Sequence, residues 1–225
     1  MEGRVLQMAL DNISLNNEAE LIGTVDSELK FSHEVYGEGF YSFMLRVMRL
    51  SDISDVINVT VSERLLQNTP ISVGNTVCVK GQFRSYNNYT DSGNRLILTV
   101  FARDIMSNPE DADKQNPNHI FLNGFLCKKH VYRTTPFGRE ITDILIAVNR
   151  AYNKSDYIPC IAWGRNARFA GSLDVGENIK LWGRIQSREY QKKISETESI
   201  TKTAYEISIS KMESVTKPNI QFEIV

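Results

Sequence analysis

The chain has 225 residues, of which 41% are hydrophobic and 24% charged, and its net charge is −1. This composition is typical of a globular protein with one large domain or two domains of about 100 residues each. No run approaches the ~18 apolar residues of a membrane span, and the opening residues MEGRVLQMALDN lack the apolar region of a signal peptide. We therefore expect a cytoplasmic protein that does not interact with a membrane.

The cysteine and histidine residues argue against a metal or disulfide framework. Three cysteines, Cys78, Cys127 and Cys160, are an odd number at wide spacing. The three histidines form no ligand spacing with them. The pattern predicts reduced thiols, no metal and no cofactor.

The first 107 residues have the alternation of a β protein. Ile57, Val59 and Val61 are separated by Asn58 and Thr60, which predicts a strand with one apolar face. The segment ERLLQNT (63–69) follows it as a candidate for a short helix. These residues carry nine Lys and Arg against 13 Asp and Glu, a balance of −4.

Residues 108–118, NPEDADKQNPN, are rich in Pro, Asn and Asp and have no apolar periodicity. This composition predicts a linker. We expect a first domain over 1–107, the linker over 108–118, a second domain over 119–217 and a tail over 218–225. Residues 119–225 carry 16 Lys and Arg against 11 Asp and Glu, a balance of +5, so a polyanion is expected to meet the second half first.

The two halves are copies of one pattern. FMLRVMR (43–49) matches ILIAVNR (144–150), and DVINVTVSERL (55–65) matches DYIPCIAWGRN (156–166), both at an offset of 101. VGNTVCVKGQFRSY (73–86) matches VGENIKLWGRIQSR (175–188) at an offset of 102, which superposes Gly81 on Gly183. Three blocks at nearly one offset indicate a duplicated domain. We expect the two superposed glycines to serve the bend of a strand.

Each copy is predicted to contain five strands with a short helix between the third and the fourth, RNARFAGSL (165–173) being the helix candidate of the second copy. This order is typical of the OB-fold, a small Greek-key barrel whose strands 2 and 3 and loops bind oligonucleotides or oligosaccharides. We therefore predict an all-β chain of two tandem OB-folds. Other small barrels remain the alternative.

The second copy resembles the bacterial single-stranded DNA-binding protein (SSB) family. The matching strings, in the same order, are NGFL (123–126), TPFG (135–138), AVNR (147–150), YIPCIAWG (157–164), GRIQSREY (183–190) and YEISISKMESV (205–215). The resemblance implies OB-folds, binding of single-stranded DNA without catalysis, and assemblies of four OB-folds. For two OB-folds per chain, it implies a homodimer.

The third strand of the second copy is expected to present an aromatic row. Ile158, Cys160 and Ala162 share one parity and would line the barrel, whereas Tyr157 and Trp163 share the other and would face outward. An aromatic ring stacks on any base, which is worth about 1–3 kcal/mol per base. By resemblance, Tyr157, Trp163 and Tyr190 occupy stacking positions. Packing of Trp163 under a loop is the structural alternative.

The fourth strand and two loops are expected to supply cations that neutralise phosphates. On the fourth strand, Trp182, Arg184, Arg188 and Tyr190 share a parity; Trp182 suits a DNA face and a protein–protein interface equally. The polar segment QKKISETESITK, predicted as a loop, adds Lys192 and Lys193. The loop between the first and second strands adds its basic and aromatic residues, which are Lys128, Lys129, Tyr132, Arg133, Phe137 and Arg139. The loop charges could also be ordinary solvated surface.

The first copy has lost the outward aromatics, because Val56 and Ser62 stand opposite Tyr157 and Trp163. It keeps Arg84 and Tyr86 on its fourth strand, and we expect it to bind DNA more weakly and to have an architectural role. Many family members end in an acidic tail that recruits other proteins. Residues 214–225, SVTKPNIQFEIV, contain one acid, Glu223, so we do not expect recruitment through such a tail.

The predicted function is sequence-independent binding of single-stranded DNA in replication, recombination or repair, by a chain that is nucleoid-associated or encoded by a phage or mobile element. Replication or repair proteins are possible partners. The sequence has no catalytic triad spacing, phosphate-binding glycine loop or metalloprotease motif, so we do not expect an enzyme. The alternatives are a protein-interaction adaptor of the primosome type, with the aromatic face buried against a protein, and a binder of single-stranded RNA.

Overall fold

The computed structural model describes residues 15–49, 51, 53–90, 93–110, 116–193 and 199–215. In the first half, the elements are β1 (Asn17–Val25), β2 (Lys30–Val35), β3 (Glu38–Met48), β4 (Ser54–Ser62), α1 (Glu63–Asn68), β5 (Thr76–Thr90) and β6 (Gly93–Ser107). In the second half, they are β7 (Asn118–Leu126), β8 (Val131–Thr134), β9 (Glu140–Arg150), β10 (Lys154–Trp163), α2 (Arg165–Ala170), β11 (Asn178–Lys193) and β12 (Ser199–Ser214). No described helix is long and apolar enough to cross a membrane.

Each half closes into a five-stranded barrel. In the first barrel, β1 pairs with β5, β5 with β6, β6 in parallel with β4, and β4 with β3, and β3 returns to β1. The second barrel repeats this order with β7, β11, β12, β10 and β9. A short helix separates the third and fourth barrel strands in both. The prediction of an all-β chain with two tandem OB-folds is confirmed.

A sixth strand in each half lies outside the barrel. β2 pairs with β3, and β8 pairs with β9, as the outer strand of a hairpin. Every residue of β2 and β8 is exposed. Strand prediction depends on an alternation between buried and exposed positions, so a strand with no buried face gives no such signal, and both strands were missed.

The barrel interiors follow the predicted parity. Ile57, Val59 and Val61 of β4 are fully buried. Ile158 and Ala162 of β10 are also fully buried, and Cys160 is 2% exposed. Side chains of one parity on a strand point to one face of the sheet, and in both barrels that face is the core.

Gly81 and Gly183 lie where two long strands cross tightly. The pairing of β5 with β6 shifts register between Lys80 and Gly81, and that of β11 with β12 shifts between Trp182 and Gly183. A Cβ at Gly81 would collide with the carbonyl oxygen of Phe101, and one at Gly183 with that of Ser208. Bulges of this kind increase local twist, and here each accompanies the bend of a barrel strand.

The second long hairpin differs from its prediction. The segment QKKISETESITK was expected to be a loop, but β11 continues to Lys193 and β12 begins at Ser199. Residues 194–198 lie outside the described residues. The ladder extends because Ile200 and Thr201 are β-branched and pair with Lys192 and Gln191, and such residues favour the extended backbone.

The two barrels are joined edge to edge along a line that we call the seam. β1 pairs antiparallel with β7, with Ala19 opposite Ile120. Two reciprocal contacts flank this pairing: Ser187 N donates to Asp55 Oδ1 at 2.8 Å, and Ser85 N donates to Asp156 Oδ1 at 2.7 Å. Asp55 and Asp156 occupy equivalent positions of the sequence repeat, so the seam has approximate two-fold symmetry within one chain.

Candidate nucleic-acid interface

Two aromatic side chains mark the ends of an outward face on β10. Tyr157 is 47% exposed and Trp163 is 39% exposed. Six residues of extended strand separate them by about 20 Å. Between them Pro159 is half-buried and Ile161 is 6% exposed, so the predicted row is two separated aromatic platforms rather than a continuous strip.

Tyr157 is held from the other barrel. Its backbone N–H donates to Ser85 Oγ of β5 at 2.7 Å, while its neighbour Asp156 accepts from Ser85 N. This pair of bonds fixes the start of β10 against the first barrel. The ring of Tyr157 is therefore positioned beside the seam.

The hairpin of β11 and β12 carries a second set of predicted residues. Arg188 and Tyr190 are exposed, and the Arg188 guanidinium carbon lies 6.0 Å from the centre of the Tyr190 ring. The backbones of Lys192 and Lys193 pair with Ile200 and Ser199, but their side chains lie outside the described residues. A cation beside an aromatic ring offers a phosphate contact and a base platform together.

The predicted residues on the hairpin of β8 and β9 differ in their exposure and in their partners. Lys128, Lys129 and Arg139 are exposed, and Phe137 is 92% exposed at the turn. Arg133 and Tyr132 already have acidic partners on β9.

Arg133 Nη2 lies 2.7 Å from Asp143 Oδ2, and Tyr132 Oη donates to Glu140 Oε1 at 2.6 Å. This hydrogen bond raises the pKa of the Tyr132 phenol. Arg133 thus has an acidic partner in an ion pair whose side chains are 50% and 39% exposed.

Trp182 and Arg184 have the predicted outward parity but point toward the seam. Trp182 is half-buried, with its ring 5.2 Å from that of Phe121 and the Lys211 ammonium 4.6 Å from its ring centre. Arg184 Nη1 lies 3.6 Å from Asp55 Oδ2 of the first barrel. Burial lowers the pKa of Arg184. Both side chains line a cavity of about 560 Å³ at the seam.

The predicted residues of the first barrel also differ in their exposure. Tyr86 is 45% exposed, and burial raises its pKa. Arg84 is half-buried, with its guanidinium carbon 4.0 Å from the centre of the Phe101 ring. The positions equivalent to Tyr157 and Trp163 hold Val56, which is half-buried, and Ser62, which is 8% exposed.

Two groups of residues were missed from the sequence. The first is an aromatic cluster on the first barrel, where His33 stacks on Phe40 at 5.0 Å and Phe40 lies 5.6 Å from Phe101. His33 and Phe40 pair within one hairpin, but Phe101 comes from β6, far along the chain, so no local pattern marks the whole cluster. The second is the seam pairs Arg49–Asp55 and Arg150–Asp156.

A signal for the seam pairs was available. Each half contains an arginine followed six residues later by an aspartate, and the two pairs superpose at the offset of the repeat. A buried aspartate with an arginine partner in both copies is what a symmetric interface requires. Within the described residues, no three His, Cys, Asp or Glu side chains are grouped as a metal site.

The geometry defines a class of protein: a double OB-fold chain with separated aromatic platforms and flanking cations. Residues 117–215 match the model of the single-strand binding protein family. The second half of the chain therefore has the sequence pattern of this family.

Relatives of known name and structure agree with this. A single-stranded DNA-binding protein of Clostridium tetani is 33% identical over 92 residues, which cover 38% of this chain and 63% of that protein. The chain thus spans less than two thirds of the length of the curated relatives that it matches.

Two solved structures are also similar. The single-stranded DNA binding protein from Thermus aquaticus covers 91% of this chain with a TM-score of 0.73 and 18% identity, and 95% of its own chain is matched. At that identity it supports the fold alone. The N-terminal domain of PriB from Thermoanaerobacter tencongensis is 48% identical, covering 42% of this chain and 99% of that domain, with a TM-score of 0.38.

Proposed function

We propose that this chain binds single-stranded DNA without sequence preference, in DNA replication, recombination or repair. Tyr157, Trp163 and Tyr190 stack bases, since each side chain is exposed, and Arg188 lies beside the ring of Tyr190. Arg188 and the exposed cations of the β8–β9 hairpin contact phosphates. Binding of this kind requires no catalytic group, so the protein acts as a binding protein and not as an enzyme.

The difference between the two copies of the internal repeat is the main support for this proposal. β4 and β10 share a fold position and a buried apolar face, yet Val56 and Ser62 replace Tyr157 and Trp163. The first barrel therefore forms without aromatic side chains at these positions, so folding does not require them. A flat, apolar ligand such as a nucleic-acid base accounts for two exposed rings on one strand.

The test is a titration of fluorescein-labelled oligo-dT, followed by anisotropy at two salt concentrations. Trp163→Ala removes one platform, and the affinity is expected to fall by about 1–3 kcal/mol. Trp163→Phe is the matched control, because it keeps a ring and should bind within a few fold of the wild type. The affinity of the wild type should fall steeply with salt.

Other outcomes favour other functions. An unchanged affinity in Trp163→Ala would remove this residue from the site. If the wild type showed no salt-dependent binding to oligo-dT, a protein-interaction adaptor would be the better hypothesis. Competition with oligo-U addresses RNA, because stacking alone does not distinguish the two nucleic acids.

We propose that the second domain, taken as 119–217, is the principal binder and that the first domain, taken as 1–107, has the architectural role. The charge balances of +5 over 119–225 and −4 over 1–107 support this division. Because the seam joins the two barrels, the test belongs in the full chain: Tyr157→Ala should weaken binding to oligo-dT more than Tyr86→Ala. Equal losses would contradict the division.

We propose a homodimer that presents four OB-folds, in line with the assemblies that the family resemblance implies. Sedimentation equilibrium should give twice the chain mass of 25.6 kDa, and a monomer mass would overturn the proposal. The protein would act with the DNA in the bacterial cytoplasm.

A further inference from the structure

A second cavity at the seam, of about 340 Å³, is lined by residues of both barrels. We call it the seam pocket. Its charged lining consists of four cations: Arg84, Arg103, Arg150 and Lys154. Among the residues that the structure describes, no Asp or Glu lines it. Four like charges around one concave surface repel each other unless an anion is present.

The counter-charge behind the pocket is incomplete. Asp156 is fully buried and lies 3.3 Å from Arg150 Nη1. Its Oδ2 and the Nε of Arg84 are buried with no hydrogen-bond partner. Burial and the nearby Arg150 lower the pKa of Arg84 to about 10. Asp156 therefore contacts Arg150 through one oxygen only, and hydrogen-bonding capacity remains unused on Asp156 and on Arg84.

The other side of the seam provides an internal comparison. There Arg49 binds Asp55 through two short contacts, Nε to Oδ2 at 2.8 Å and Nη2 to Oδ1 at 2.7 Å. Within the described residues, two arginines, Arg49 and Arg184, line the cavity of about 560 Å³ on this side of the seam. On that side two arginines share the carboxylate of Asp55, and Arg184 Nη1 is also buried with no hydrogen-bond partner. The seam pocket differs because four cations line it.

Local backbone features present this charge to solvent. Arg103 is the unpaired residue of the bulge in β6, where Lys80 pairs with Asp104 and Gly81 with Ala102, and a bulge re-aims the side chain it carries. Tyr152, in the turn between β9 and β10, also lines the pocket and is 93% exposed. Cations with an adjacent exposed ring fit a phosphate that has a base attached.

We propose that the seam pocket binds a phosphodiester group of single-stranded DNA where the strand passes from the aromatic platforms to the first barrel. This rests on the proposed function. The path is short, because Ser85, which accepts the N–H of Tyr157, directly follows Arg84 of the pocket. Lys154 lies three residues before Tyr157 on β10, about 10 Å along the strand, with its side chain on the opposite face. The phosphate oxygens would accept from Arg84, Arg103, Arg150 and Lys154.

The test uses the full chain with Arg103→Gln and Lys154→Gln combined. Both residues are exposed, so the fold should be retained, and an unchanged or higher melting temperature checks this. The matched control is Lys30→Gln with Arg64→Gln, which also removes two exposed positive charges but lies outside the proposed site.

The readout is the slope of log affinity against log salt for oligo-dT. With a long oligonucleotide of about 40 residues, the slope of the pocket variant should become shallower by about 0.7 to 1.4, since each phosphate contact on a single strand contributes about 0.7. With about 8 residues, within the site size of one OB-fold, the variant should bind as the wild type does. The control should bind as the wild type at both lengths.

Each other outcome overturns the proposal in a recognisable way. Equal losses in variant and control would mean general electrostatic attraction. An unchanged slope in the variant, with tight wild-type binding, would leave the proposed function standing and remove the pocket. A wild type that fails to bind any oligo-dT would remove the proposed function itself.

A second arm distinguishes the source of the phosphate. Sodium pyrophosphate is titrated into the wild type and the pocket variant by calorimetry. Binding at micromolar concentration by the wild type alone, with no change in the oligo-dT slope, would assign the pocket to a free phosphate compound and overturn the DNA contact. Weak or absent binding of pyrophosphate, together with the length-dependent slope change, supports the phosphodiester.

Discussion

A carboxylate enclosed by protein depends on its partners more than one in solvent does, and Asp55 is an example at the seam. It is fully buried, it accepts two contacts from Arg49, and it accepts the N–H of Ser187 from the other barrel. The hydrogen bond to Asp55 raises the pKa of the Arg49 guanidinium. Asp55 therefore connects a charge pair within the first barrel to the backbone of the second.

We predict that Asp55→Ala lowers the free energy of unfolding by about 3–5 kcal/mol, because it leaves a partly buried arginine without its counter-charge. The matched control is Asp26→Ala. Asp26 binds Arg46 with equally short contacts, but 30% of the Asp26 side chain and 46% of the Arg46 side chain are exposed. That substitution should cost less than about 1 kcal/mol. Urea unfolding measures both, and similar losses would show that the seam contact is not special.

The pKa of Asp156 supports a second prediction. Burial raises it above the ordinary value of 3.8, so the folded protein retains this proton at a pH where the unfolded chain has lost it. Stability from this group is therefore greatest below 3.8 and decreases as pH rises from there through the raised pKa. Asp156→Asn should flatten the pH dependence of unfolding over that interval, and an unaltered curve would contradict the assignment.

At the scale of single residues, the sequence predicts exposure better than it predicts neighbours. Tyr157 and Trp163 are exposed, as the strand parity indicates. Trp182 obeys the same rule, yet it packs against Phe121. Parity tells which side of a sheet a residue faces, but not whether another element covers that side. The contacts of Trp182 and Arg184 could not be predicted, since they depend on how the barrels meet.

Among the elements, the two long hairpins show how glycine controls the path of a strand. β12 passes so close to Gly183 that a side chain there would meet the carbonyl of Ser208. The register of the pair changes at the same point. Because of the close approach and the bulge, one end of the hairpin forms part of the barrel and the other end extends beyond it.

We predict that Gly183→Ala lowers the free energy of unfolding by about 1–3 kcal/mol, the usual range for an added methyl in a packed place. Gly81→Ala, the equivalent change in the first barrel, should lower it by a similar amount because its Cβ would meet the carbonyl of Phe101. Val175→Ala, at a side chain that is 58% exposed, should change it by less than about 0.5 kcal/mol. Urea unfolding compares the three, and a neutral Gly183→Ala would mean that the strand moves away freely.

Element prediction succeeded where burial alternates along the chain. The strands that line the barrels carry that pattern in both copies, and Glu63–Asn68 and Arg165–Ala170 form the predicted helices. β2 and β8 were missed because all of their residues are exposed. The end of β11 was missed because it is polar and its strand structure comes from pairing with β12.

On the scale of the whole molecule, the repeat predicts two copies but not their arrangement. The junction is the pairing of β1 with β7. Any edge strand offers unpaired backbone groups, so the sequence does not identify which edges meet. The reciprocal contacts of Asp55 and Asp156 then make the junction specific.

The shared sheet predicts that the two barrels unfold together. Both tryptophans of the chain, Trp163 and Trp182, lie in the second barrel, so their fluorescence reports on that barrel. Leu45→Ala in the first barrel should nevertheless shift the fluorescence midpoint in urea, by a loss of about 2–5 kcal/mol. Ile146→Ala, at the equivalent and equally buried position in the second barrel, is the reference. A fluorescence transition that Leu45→Ala leaves unmoved would show two independent units.

The seam also changes what mutation can do to such a protein. In an assembly of identical subunits, symmetry repeats every substitution on both sides of an interface, so a residue lost from one binding face is lost from its mate. Here the two sides are encoded separately. Val56 and Ser62 can replace Tyr157 and Trp163 on one side while Arg84, Arg103, Arg150 and Lys154 gather on only one face of the junction. A single chain of two unlike barrels has inherent direction, and a polar DNA strand bound across it would have a preferred 5′-to-3′ orientation.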